Sequence, residues 1–203
     1  MLNLMPKIFI KRLIRKLKNY NEIAEIDEIA RRYFALNSFD GILTTLGIIV
    51  ASYFAGITSI RIIVTACIGA AIAVAISGFY GAYTTESAER EGKMKTLEKN
   101  IGFTLRDSPI KHANTFAVIV LAIIEGFMPF LMAISIIIPF FVMENIFNAY
   151  YSALALSLFF LFVIGAFLGR VSKRSMALSG VKMIAAGITC IVILYFVDSF
   201  FKI

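Results

Sequence analysis

Asp40 and Glu125 are the two side chains whose positions could do chemistry. Asp40 stands at the mouth of the uncharged run Gly41 to Ile60, within Asn37-Ser38-Phe39-Asp40-Gly41-Ile42-Leu43-Thr44-Thr45. Glu125 lies about a dozen residues into the apolar block Ala113 to Met143. An ionisable side chain at membrane depth costs at least about 2.5–3.5 kcal/mol, which makes each a functional-site candidate by default. A carboxylate there binds a cation or a proton and exchanges one for the other. Met128 and Met132 follow Glu125 at i+3 and i+7, on one helical face. A carboxylate with thioethers suits a borderline divalent metal such as ferrous iron or manganese; methionines at that spacing also serve as core filler. Glu125 has a second reading as a protonated group hydrogen-bonded between helices. Asp40 has one as a helix N-terminal carboxylate facing the positive end of the dipole. Thr44, one turn after Asp40, joins Asp40 and Glu125 as candidate lining of a transport pathway.

Glu86, Glu89 and Glu91 continue the second apolar run into a polar stretch, where they either collect cations or form a solvated charged face. The candidate metal ligands are thus Asp40, Glu125, Met128, Met132, Glu86 and Glu89. His112, the single histidine, has no second histidine beside it and is not expected to be a ligand. Cys67 and Cys190 fall inside apolar blocks without zinc or disulfide spacing, and packing is their expected role. No catalytic residue and no bound cofactor is expected.

The elements that must position these residues follow from the composition. The 203 residues are 60% hydrophobic and 16% charged, against about 45–50% and 25% in ordinary globular domains. The excess comes in blocks of spanning length. This predicts an all-α polytopic membrane protein in one bundle at 38–203, with five transmembrane helices near 38–60, 61–85, 113–143, 146–169 and 176–198 and a polar loop at 86–112. Residues 1–37 interleave Leu4, Ile8, Leu13 and Leu17 with Lys7, Lys11, Arg15 and Lys18, the pattern of a basic amphipathic helix on anionic headgroups. This segment lacks the form of a cleaved signal peptide and is expected in the mature chain. Pro129 and Pro139 should tilt or kink the third span. Gly69, Ala73, Ser77 and Gly81 recur every four positions in the second span, and Gly165 and Gly169 have GxxxG spacing in the fourth; both patterns permit close backbone approach.

The net charge of +7 suits a cytoplasmic membrane face better than nucleic acid, because the basic residues sit at helix ends and in the N-terminal segment. Lys and Arg concentrate in residues 1–37, in 86–112 and between Arg170 and Arg174, with Arg61 and Lys202 opposite. That pattern predicts a cytoplasmic N-terminus and an outside C-terminus. With no organelle address, the cell membrane of a prokaryote is the expected location.

The chain resembles the vacuolar iron transporter family. The family's Asp-Gly-Ile-x-Thr-Thr opening of the first helix corresponds to Asp40-Gly41-Ile42-Leu43-Thr44-Thr45. Its Ser-Met-x-x-Gly-Glu-Tyr stretch and the following Gln-Arg-Glu correspond to Ser77-Gly78-Phe79-Tyr80-Gly81-Ala82-Tyr83 and Glu89-Arg90-Glu91. Gly165-Ala166, Arg170, Arg174, Ser179-Gly180, Met183 and Gly187 are similar to its fourth-to-fifth helix hairpin. The resemblance covers about residues 38 to 195 and implies a homodimer that moves ferrous iron, and often manganese, out of the cytoplasm in exchange for protons, with Asp40 as a pathway carboxylate. Gly78 and Ala82 replace the family's methionine and glutamate, and Glu125 or Glu86 is a candidate substitute. Alternatives are the same fold carrying another cation or acting as a non-transporting scaffold. A lipid enzyme built on Asp40-Gly41 is disfavoured, since Ile42 to Ile60 has no further aspartate for metal ions.

Overall fold

A computed structural model describes residues 18–105 and 108–201 of the chain. The described residues are helical with no strand. After a helical stretch at 18–24 come α1 (Ile26–Phe54), α2 (Ile60–Ile101), α3 (Pro109–Ile137), the short α4 (Pro139–Val142), α5 (Ile146–Val171) and α6 (Met176–Phe201). Five helices are long and apolar enough to cross a membrane, α3 and α4 counting as one.

Several boundaries differ from those expected. The expected surface segment ended at residue 37, but α1 runs unbroken through that point from Ile26. The interruption is at Glu25, where φ is 51°. Residues 1–17, which carry most of the predicted amphipathic helix, lie outside the described residues, as does Lys202. α2 does not stop at Thr85 but continues to Ile101, 42 residues in all. At about 1.5 Å per residue it is roughly 63 Å long, twice a hydrocarbon core of about 30 Å. Lys93–Glu89 and Lys95–Glu91 pairs at i,i+4 support the polar extension. Pro129 sits inside α3 without ending it, whereas Pro139 begins α4 after a turn at Ile138.

The chain ends are handled by specific backbone motifs. At the end of α1, Gly56 has φ 68°, the Ile57 N–H donates to Ser52 O at 3.0 Å and the Gly56 N–H to Tyr53 O at 3.1 Å. This is a Schellman closure with glycine in the left-handed position. The α5–α6 turn repeats it with Lys173 (φ 53°) in place of glycine, the Arg174 N–H donating to Gly169 O at 2.8 Å and the Lys173 N–H to Arg170 O at 3.2 Å. Asn145 caps α5 by accepting from the Phe147 and Asn148 N–H groups.

The single expected bundle resolves into two compact units. One comprises the described residues up to Tyr33 with Phe79–Glu125; the other comprises Phe34–Gly78 with the described residues from Gly126 on. In the first, Ala24 and Ile26 pack against Ala113 and Ala117, flanked by Tyr20, Ala30, Phe116 and Val120. The second holds the larger apolar core, including Ile42, Leu46, Ile49, Ile63, Ile136, Phe140 and Leu161.

Within the second unit, helices approach at backbone distance. A Cβ on Gly165 would lie 2.5 Å from Ser179 O, and one on Gly180 2.5 Å from the Phe162 ring. The Gly165 and Gly169 spacing thus serves the α5–α6 hairpin. Gly69 and Gly81 of α2 have no such neighbour within 4 Å. Introducing Val at Gly165 is expected to destabilise the protein by about 1–3 kcal/mol, read as a lower thermal midpoint in detergent, whereas Val at Gly92, where an added Cβ meets nothing within 4 Å, leaves that midpoint within a degree or two of the parent.

Candidate functional site

The described residues of the first unit carry a buried polar network built on α2. Glu86 is 6% exposed, and both its carboxylate oxygens are engaged. Tyr33 Oη donates to Oε1 at 2.8 Å and Arg90 Nε to Oε2 at 3.0 Å. Arg90 lies one turn after Glu86 and is nearly as buried, with 10% of its side chain exposed against 7% for Glu86. Its terminal nitrogens go on to Asn114 Oδ1 at 3.1 Å and to the Ala24 carbonyl at 3.3 and 3.4 Å. The Glu125 carboxylate is close enough to act electrostatically on the Tyr33 phenol. Ala24, Arg32, Glu86, Glu89, Arg90 and Asn114 contribute to the lining of a cavity of about 260 Å³.

The ion pair is satisfied on both sides, which is the condition under which two buried charges are tolerable; removing one partner of such a pair costs about 3–5 kcal/mol. Glu86 is therefore a neutralised, oriented carboxylate. Glu89 and Glu91 behave differently. They are exposed, and hydrogen bonds from Lys93 and Lys95 hold their carboxyls below the ordinary carboxylate range. They form the solvated charged face that was one of the two readings of this stretch. Among the described residues no three His, Cys, Asp or Glu side chains converge to hold a metal ion.

Asp40 belongs to the second unit. It is the fifteenth residue of α1, counting Ile26 as the first, so the helix-start explanation of its carboxylate does not apply. Its side chain is exposed on the helix surface, while Asn37, Ser38 and Thr45 beside it are buried. Thr44 is half-buried, and Thr45 Oγ1 bonds back to Gly41 O at 2.8 Å. Ser38 Oγ is buried with no hydrogen-bond partner.

Gly41 has its own reason to be glycine. A Cβ there would lie 2.5 Å from both Pro129 Cα and Pro129 O. Pro129 lacks an N–H, which leaves the Glu125 carbonyl without its usual i+4 donor. Met132, further along α3, packs against the apolar core, the filler role open to it from the sequence. Met128 and Glu125 are half-buried.

Tyr33, Arg90 and Asn114 were not singled out from the sequence. The i,i+4 spacing of Glu86 and Arg90 was visible, but such a pair on an extended helix ordinarily reads as a surface bridge. Its burial depends on Tyr33 and Asn114, which are 53 residues before Glu86 and 24 after Arg90.

The chain is 29% identical over 178 residues to an uncharacterized protein of Methanocaldococcus jannaschii, a match covering 86% of this chain and 91% of that one. No family model and no solved structure matches the chain.

Gly41→Ala is expected to lower stability by about 1–3 kcal/mol because the added methyl meets backbone rather than a movable side chain. Gly92→Ala, with open space around it, should match or slightly exceed the parent. Thermal unfolding of both variants in detergent checks the contrast.

Proposed function

We propose that this protein is a homodimeric transporter of the cell membrane that exports divalent metal, ferrous iron and/or manganese, from the cytoplasm in exchange for protons. The observation that carries this reading is Asp40, an exposed carboxylate in the interior of α1 rather than at its start. Twenty residues counted back from Phe54 fill a core of about 30 Å and reach Ala35, which sets Asp40 about 7 Å inside. Glu125 lies near the middle of the apolar span Pro109–Val142. Two carboxylates at such depths favour cation or proton handling. The likeness of Asp40-Gly41-Ile42-Leu43-Thr44-Thr45 to the opening of the vacuolar iron transporters supports metal as the cargo.

The mechanism follows from charge. A carboxylate that accepts either a divalent ion or protons cannot hold both fully, so loading one displaces the other and couples their opposite movements. Thr44, one turn from Asp40, offers a neutral oxygen on the same stretch of helix. The distribution of Lys and Arg supports a cytoplasmic N-terminus and an outside C-terminus. Two copies are expected to meet on the face of α2 that carries Gly69, Ala73, Ser77 and Gly81, all exposed in the single chain.

Purified protein in liposomes should take up manganese or ferrous iron under an imposed pH gradient, with an internal dye reporting matched proton movement. Asp40→Asn and Glu125→Gln are each expected to reduce flux at least tenfold; unchanged flux in both would remove them from the mechanism, and silence of the wild type toward every divalent ion would remove the transporter reading. Ala73→Leu with Gly81→Leu is expected to convert the dimer to monomer, measured as mass by light scattering in detergent.

A further inference from the structure

The junction between residues 18–24 and α1 is built around a strained residue. Glu25 has φ 51°, a left-handed conformation that crowds the Cβ of a residue with a side chain. Locally, the Asn21 amide donates to Asp27 Oδ2 at 2.7 Å and its Oδ1 accepts from the Asp27 N–H at 2.9 Å. That exchange leaves the Ala24 carbonyl, freed where the helix stops, to find a donor elsewhere. It finds the two terminal nitrogens of Arg90, 66 residues away in the chain.

Arg90 is aimed by Glu86. With Nε held by Oε2, the guanidinium plane is turned so that Nη1 and Nη2 face Ala24 O and Nη1 also reaches Asn114. Glu86 reaches residues 18–24 through Arg90. An arginine deprived of its buried carboxylate has reason to swing toward water, because an unpaired charge at 10% exposure is poorly solvated.

We propose that Arg90 is a clasp aimed by Glu86: it holds the end of the 18–24 helix in place only while the Glu86–Arg90 pair is intact, and breaking that pair releases residues 18–24. Glu86 is the positioning residue and Glu25 the hinge. Release costs the packing of Tyr20 and Ala24 against Ala113, Phe116 and Ala117, a small patch, which makes opening accessible without unfolding the helices. Any cation that takes over the Glu86 oxygens therefore competes with the docked segment. The clasp is independent of whether the protein transports metal.

Amide hydrogen exchange on the full-length protein in nanodiscs tests it. In Glu86→Gln, amides of residues 21–30 are expected to exchange about ten- to a hundredfold faster, the range for losing a hydrogen bond to a charged group. Arg90→Gln should do the same, and the double variant should add little to the larger single effect, since both break one chain of contacts. Tyr33→Phe removes the other bond to Glu86 without touching Arg90 and should leave the segment within about threefold of wild type. Amides of the α5–α6 hairpin serve as the control for intact folding. Unchanged exchange at 21–30 in Glu86→Gln would overturn the proposal, as would equal acceleration in Tyr33→Phe or throughout α2 and α3, either of which would mark general loosening.

Discussion

Wherever the described helices break, the freed backbone groups need partners, and that demand organises the molecule. A helix leaves orphan carbonyls at its end, and in an apolar setting each one unsatisfied costs several kcal/mol. Several breaks among the described residues are closed by a specific partner. Ala24 is met by Arg90, and the Ile57 carbonyl in the α1–α2 link by Tyr150 Oη at 2.7 Å. Glu98 accepts from the Leu105 N–H at 2.6 Å just past α2. The two Schellman closures do the same with backbone alone.

The second constraint is close approach. In lipid, apolar side chains gain little by leaving one apolar medium for another, so helix association relies on backbone proximity and van der Waals packing. Gly41 against Pro129, and Gly165 and Gly180 within the α5–α6 hairpin, provide it. At Gly41 this requirement coincides with the motif that carries Asp40. One glycine thereby ties the packing of α1 on α3 to the position of a carboxylate inside the helix. Near the opposite end of α1, Tyr53, Tyr150 and Tyr151 cluster, with Tyr53 and Tyr151 sharing a hydroxyl contact of 3.2 Å. Phe54 and Tyr195 extend this aromatic group. Such amphipathic rings are enriched at membrane–water interfaces.

Acidic residues fall into three physical settings. Glu89 and Glu91 are solvated and paired with lysines. Glu86 is buried, fully bonded and electrically balanced by Arg90. Asp40 and Glu125 lie within apolar helices, with Asp40 at the surface of the chain. Only the last setting leaves a carboxylate with a reason to exchange ligands, which is why the proposed chemistry rests there while Glu86 is better understood as part of an organising pair.

From sequence alone, the helical class and the five apolar helices were legible, because spanning length and the near absence of charge are local properties of a run of residues. The close approach at Gly165 and Gly169 was legible for the same reason: its spacing is written within a few positions. Tertiary structure alone decided that the chain turns at Glu25 rather than at residue 37, that Asp40 lies inside a helix rather than at its start, and that Glu86 and Arg90 are buried instead of bridging in water. Each of these depends on partners far away in the chain, such as Arg90 on Ala24 and Tyr33 on Glu86, and a local pattern of residue types carries no record of which distant side chain will satisfy a freed carbonyl or shield a charge.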